Sequence, residues 1–259
     1  VMLGADKIGQ YKHGRIKQLK ACNIVNINNA KCGQDGDIRI LFFGNSHEVD
    51  AVNIFSAALP EVNKQGWVRF GSTNDCKFYF SGAAVNARDP RCQKRLKLLK
   101  DGAKESQWHT VVYSALNPFG KGKAKDLAIM SELKSLQPDL ELIVMSDYIS
   151  TTVSCADLTN KYGTPSACKM PDYIDRLPGF KTNYDVKIRA SLEEVANVYV
   201  NKVEFLCDNE IPDSCQVATP DGHPMSVDKH HLTYEFAQYL GNRIRQENPV
   251  WLERMRRDY

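Results

Sequence analysis

The sequence has no run of 18 or more apolar residues, which excludes a membrane-crossing helix within it. It has no Cys-x-x-Cys spacing, so neither a zinc ribbon nor a dithiol redox motif is present. It has no internal repeat and no low-complexity tract, which excludes a solenoid or a linker-like chain. Excess charge is also scarce: 34 Lys and Arg stand against 31 Asp and Glu, a net charge of +3. The basic clusters at 94–97, 121–125 and 254–257 are far apart in sequence and read as solvated faces, not as the concentrated patch of a nucleic-acid surface. The last of them has a second reading, proximity to an anionic membrane surface. The first residues lack a leader pattern, and with Val1 in front the chain is expected to be a mature form or an excised domain.

What is present is a core-forming composition, 42% apolar and 9% aromatic over 259 residues, enough for one large domain. Eight cysteines fall into four neighbouring pairs, Cys22/Cys32, Cys76/Cys92, Cys155/Cys168 and Cys207/Cys215, separated by 10, 16, 13 and 8 positions. An even count in loop-like sequence predicts four local disulfides and a periplasmic or extracellular location. The competing reading is eight buried thiols in a reducing compartment.

Residues 1–37 are polar and mixed and are read as a lead-in, with a short helix near Lys7–Lys20; residues 38–259 form the domain. The nearly continuous apolar run Ile38–Phe43 has the character of a central parallel strand, covered on both faces. Gly44 permits a sharp bend, and Glu48 onward has helical periodicity. Further strands are expected at 67–70, 110–115, 140–145 and 203–206. Helices are expected at 90–99, 123–136 and 190–200, with a last one opening at Asp228 and running to about Gln246. The stretch 147–187 is long and irregular, a candidate substrate-contacting lid. Strands alternating with helices predict an α/β fold with a doubly wound, mainly parallel sheet.

In such a sheet the residues after successive strands converge on one edge, where ligands bind. Ser46 stands after the first strand, the Gly71 loop after the second and Asn117 after the third, while Asp228-x-x-His231 is expected at the start of the last helix. A nucleophilic serine needs a base to take its proton and an acid to orient that base, and Asp and His three apart can supply both. An oxyanion needs N–H donors, for which Ser46 N–H, a Gly71 N–H and the Asn117 amide are candidates. Blander roles compete: Ser46 and Asn45 as helix caps and Asn117 as a turn residue before Pro118. His47 is read as lining the turn and His230 as a surface residue. His47-Glu48 is no His-Glu-x-x-His motif, because position 51 is alanine, and no metal or other cofactor is assigned.

Gly44-Asn45-Ser46-His47 resembles the first block of the SGNH/GDSL hydrolases, and Asp228-Lys-His-His231-Leu232 resembles their last block. Val111–Asn117 is similar to the third block, with Ala115 in place of a glycine. The stretch from Leu206-Cys207 to Thr233 is similar to SGNH domains fused to membrane acyltransferases that O-acetylate bacterial surface polysaccharides. The resemblance implies a flavodoxin-like SGNH fold with Ser46 as nucleophile, His231 as base and Asp228 as its orienter. It implies Ser46, Gly71 and Asn117 as the oxyanion hole, with Ser72 and Gly82 as rivals of Gly71 because the second block matches poorly. Asn45 replaces the family's usual aspartate. The implied activity is O-acetyl transfer to a sugar hydroxyl through an acyl-serine. Hydrolytic acetyl esterase and non-catalytic glycan-binding module are the alternatives. The implied partners are an acetylated glycan or acyl donor and a membrane acyltransferase domain.

Overall fold

The computed structural model describes residues 5–15, 39–44, 46–61, 68–69, 90–115, 123–176, 189–193, 195–208 and 214–257. The central strand, β1, is Ile40–Gly44, and all five of its residues are buried. β2 (Val68–Arg69), β3 (Thr110–Ser114), β4 (Glu141–Met145) and β7 (Val198–Val200) complete a five-stranded sheet in the order β2-β1-β3-β4-β7. Every pairing in it is parallel. The chain order reverses between β1 and β3, the switch point at which a doubly wound sheet opens a crevice.

The near-continuous apolar strands are explained by two cores, one on each face. Ile40, Phe42, Val112, Ile143, Val198 and Val200 point into one core. Leu41, Phe43, Val111, Tyr113, Leu142 and Val144 point into the other, so successive residues alternate between two buried layers. The first core is closed by α2 (Glu48–Ala58), α7 (Tyr234–Glu247) and α8 (Val250–Arg257). The second is closed by α3 (Pro90–Lys104) and α4 (Lys123–Leu136). Phe55 is 1% exposed on α2, so Phe55→Ala would cost about 3–5 kcal/mol.

All eleven residues of α2 are buried, polar ones included. α7 lies directly on it, and Gly241 makes that approach possible, since a Cβ there would stand 2.2 Å from the Ile54 carbonyl oxygen. The lead-in contributes α1 (Ala5–Arg15), whose Tyr11 hydroxyl lies 2.9 Å from His223 Nδ1.

Three expectations change. The fifth strand is Val198–Val200, not 203–206, and among the described residues of the expected helix 190–200 only 190–192 are helical. Val198 and Val200 face the first core, and the Asn201 side chain then accepts from Val203 N at 3.1 Å, capping α6 (Lys202–Leu206). That cap wins over the alternating Val-Glu-Phe-Leu pattern, which had the period of a strand. The last helix begins at Tyr234, not Asp228, because Thr233 caps it by accepting from Phe236 N at 3.1 Å. Asp228–Leu232 is therefore a loop.

The described part of the 147–187 stretch is structured: β5 (Ser150–Thr151) pairs antiparallel with β6 (Ile174–Arg176) around α5 (Cys155–Tyr162). The disulfide Cys155–Cys168 ties α5 to the following 3-10 turn, and Cys207–Cys215 closes the loop after α6. Cys22, Cys32 and Cys76 and the Cys92 side chain lie outside what is described, as do the two disulfides expected of them. Among the described residues no helix is long and apolar enough to cross a membrane.

Candidate active site

Gly44 ends β1 where a Cβ would stand 1.7 Å from the Ser114 carbonyl oxygen, so only glycine lets β1 and β3 finish side by side. Two residues later Ser46 lies in the turn before α2, half-buried at the switch point of the sheet. His47 occupies the N-cap position of α2 without capping it by side chain. Glu48 and Asp50 in the first turn complement the positive end of the helix.

The Ser46 Oγ lies 2.6 Å from His231 Nε2, across 185 positions of sequence. His231 Nδ1 lies 2.7 Å from Asp228 Oδ2. The other oxygen of Asp228 accepts from the backbone N–H groups of His230 at 3.0 Å and His231 at 2.8 Å. Burial pushes the Asp228 carboxyl upward, but the His231 contact and these two N–H groups outweigh it and hold the group well below the usual carboxylate range. An ionised Asp228 only accepts, so the proton of the neutral imidazole sits on Nδ1 and the Nε2 lone pair faces the serine hydroxyl.

The loop that carries this pair is braced from three sides. Val227 N donates to His231 O at 2.9 Å, closing the loop on itself. Thr151 N donates to Lys229 O at 2.8 Å, and Cys155 N to Asp228 O at 3.0 Å. The disulfide-tied segment after β4 thus supports this loop from behind. The third brace comes from α2, where Asp50 Oδ2 accepts from Leu232 N at 3.3 Å.

Asp50 is the residue that sequence reasoning missed. It is wholly buried and pairs with Arg15 Nε at 2.9 Å. Arg15 Nη2 also donates to the Ser46 carbonyl oxygen at 2.6 Å, and Asn53 donates to the Arg15 carbonyl at 2.9 Å. α1 therefore reaches the backbone of the turn that carries Ser46. Burial pushes Asp50 upward, but Arg15 and His47 outweigh it and keep it ionised. The available signal was a carboxylate among Val49, Val52, Ile54 and Phe55, four positions after the serine.

His47 Nδ1 lies 3.3 Å from Asp50 Oδ2, and its Nε2 lies 3.0 Å from His230 Nδ1. Burial, only partly offset by Asp50, lowers its pKa to about 3 and keeps the ring neutral. His230 is half-buried, with its ring on His47 at a centroid distance of 5.1 Å; the expected surface position gives way to this ring stacking. Ser46, Asp228 and His231 are thus brought together as expected. Asn45, Gly71, Asn117 and the rivals Ser72 and Gly82 lie outside the described residues.

Comparison with known proteins agrees with this architecture. The family model for the SGNH domain (fused to AT3 domains) matches residues 9–246. No curated protein matches the chain. Among solved structures, the periplasmic domain of the lipopolysaccharide acetyltransferase of Salmonella ser. Paratyphi A is similar. It has a TM-score of 0.66 and 15% identity, covering 95% of this chain and 98% of that one, a likeness of fold. With the family model spanning most of its length, the chain belongs to the SGNH domains of the kind fused to AT3 domains.

Proposed function

We propose that this domain is a serine-dependent O-acyltransferase that places acetyl groups on a hydroxyl of a bacterial surface glycan. The observation that carries the reading is the continuous relay from Ser46 Oγ through His231 to Asp228, with links of 2.6 and 2.7 Å. Ser46 Oγ attacks the acyl carbonyl while His231 Nε2 takes its proton. The leaving oxygen or sulfur of the donor departs with that proton, and the acyl group stays on Ser46. A sugar hydroxyl then attacks the acyl-serine, again giving its proton to His231, and Ser46 Oγ recovers it as the product leaves. Asp228 holds the ring in the required tautomer and stabilises the imidazolium in both halves. Ser46 N–H, Gly71 and the Asn117 amide are the proposed oxyanion donors.

The family's fusion to AT3 domains and the lipopolysaccharide acetyltransferase fold-mate support a membrane acyltransferase domain as acyl source and a periplasmic or extracellular setting. A second reading, hydrolysis of an acetylated glycan, is favoured by one feature: the Asp228 side chain is 40% exposed, so water has access to the relay.

The test is hydrolysis of p-nitrophenyl acetate by wild type, Ser46→Ala and His231→Ala, with and without a glycan acceptor. Loss of product release in both variants supports the triad, and acetylated glycan formed in excess of free acetate supports transfer. Free acetate as the sole product makes the domain an esterase. Equal rates for wild type and Ser46→Ala overturn the catalytic reading and leave glycan binding.

A further inference from the structure

Three imidazoles crowd the nucleophile, and the relay uses one of them. Nitrogens of His47, His230 and His231 all lie within 4.8 Å of one another. The ring centroids of His47 and His231 are 4.7 Å apart, and those of His230 and His231 are 4.2 Å apart. His47 is buried, whereas His230 and His231 are partly open to solvent, so the cluster has a fixed floor and an entrance.

The outer contacts are those of metal-ligating histidines. Such a ring gives its second nitrogen to a carboxylate, which fixes its orientation. His231 does this with Asp228 at 2.7 Å and His47 with Asp50 at 3.3 Å, leaving both Nε2 atoms turned toward the cluster. His230 Nδ1 and His47 Nε2, 3.0 Å apart, share one proton. Moving that proton to His230 Nε2 frees Nδ1 as a third donor without changing the charge. Tetrahedral zinc with bonds of about 2.0–2.1 Å sets its ligands about 3.3 Å apart. No nitrogen pair therefore has to close by more than about 1.5 Å to meet that spacing. Three imidazoles select zinc, copper or nickel over magnesium or calcium.

We propose that His47, His230 and His231 form a reversible site for a divalent transition ion of the zinc class, which silences the serine by occupying His231 Nε2. Three protein ligands leave a fourth position for Ser46 Oγ or water. Metal and serine proton then compete for one lone pair, so a loaded chain does not transfer acyl groups. Only this inhibitory half rests on the proposed function; the binding half does not.

The experiment is calorimetric titration of zinc chloride, in a non-chelating buffer, into wild type, Ser46→Ala and His230→Ala, with magnesium chloride as control. It is paired with p-nitrophenyl acetate hydrolysis by wild type and His230→Ala, each normalised to its own metal-free rate. One zinc ion per chain is expected for wild type and Ser46→Ala. His230→Ala is expected to bind at least about tenfold more weakly, having lost a ligand where even an outer-shell loss costs about 10–100-fold. Zinc is expected to abolish wild-type hydrolysis and a chelator to restore it, with the inhibition curve of His230→Ala shifted by the same factor. Absence of stoichiometric binding, or equal binding by His230→Ala, overturns the site. Stoichiometric binding that leaves hydrolysis untouched overturns the inhibition. Zinc binding that depends on His230 in a chain with no metal-free hydrolysis keeps the site and sinks the catalytic reading instead.

Discussion

His231 with Asp228 and His47 with Asp50 are the same chemical pair in two settings, a few ångströms apart. In each, histidine and aspartate are three positions apart in sequence, and Nδ1 faces the carboxylate. The Asp228 side chain is 40% exposed and that of Asp50 is wholly buried. The Nε2 of His231 meets a hydroxyl, and that of His47 meets another imidazole. In the proposed function the half-buried pair of His231 and Asp228 passes a proton beside the substrate. The buried pair carries a permanent load instead: Asp50 joins α1 through Arg15, α2 through its own backbone, and the loop of Asp228 and His231 through Leu232 N. A histidine–aspartate pair therefore has no fixed role; burial and the direction of the second nitrogen decide it.

The largest way to break the symmetry is Asp228→Asn. The amide favours the wrong tautomer of His231, and kcat is expected to fall by on the order of 10⁴-fold with little change in melting temperature. A matching loss of stability would show that Asp228 works like Asp50. The converse substitution, Asp50→Ala, leaves Arg15 and His47 without their shared carboxylate in the interior. It is expected to cost about 3–5 kcal/mol of stability by urea unfolding, as removing one partner of a buried ion pair does. An intact unfolding midpoint would refute the anchoring role.

Arg15 sharpens the comparison from a third side. Arg15→Lys keeps a cation beside Asp50 but loses the fork that also holds the Ser46 carbonyl. Stability is expected to hold while kcat drops by up to about 10²-fold from a displaced nucleophile, with KM unchanged. Equal losses in Arg15→Lys and Arg15→Ala of stability and rate together would make Arg15 structural only.

The last test is in acid. Between the ordinary histidine value of 6.5 and about 3, the unfolded chain protonates His47 and the folded chain does not. Stability therefore falls as pH drops through that window. Asp50 and Asp228, both held low in the fold, add their loss only below the ordinary carboxylate range. His47→Gln is expected to flatten the stability curve between pH 6.5 and about 4 and leave the steeper loss below it. Unfolding curves that keep the wild-type slope in the upper window would show that the buried ring does not govern it.

The readable parts of the sequence are those whose physics is local. Strand β1 is legible because a run of apolar residues broken only by Arg39 fits a strand covered on both faces, and Ser46 is legible because it follows that strand across Gly44. Asp-x-x-His is legible because both members sit on one short loop. The exchange of β7 and α6 shows where local reading fails. Val198–Val200 and Val203–Leu206 have similar apolar patterns, and a single Asn201 cap decides between them. The onset of α7 fails for the same reason, one hydrogen bond to Thr233.

By itself the sequence determined the layered α/β architecture, the serine after the central strand and the Asp228–His231 pair, because periodicity and short spacing survive without knowledge of neighbours. Only the tertiary structure decided that Arg15, Asp50 and His47 belong to the same site. Their partners lie 31 positions away for Arg15 and Ser46, 182 for Leu232 and Asp50, and 183 for His230 and His47. An ion pair becomes a buried anchor only when packing removes the water around it, and no local pattern carries that information.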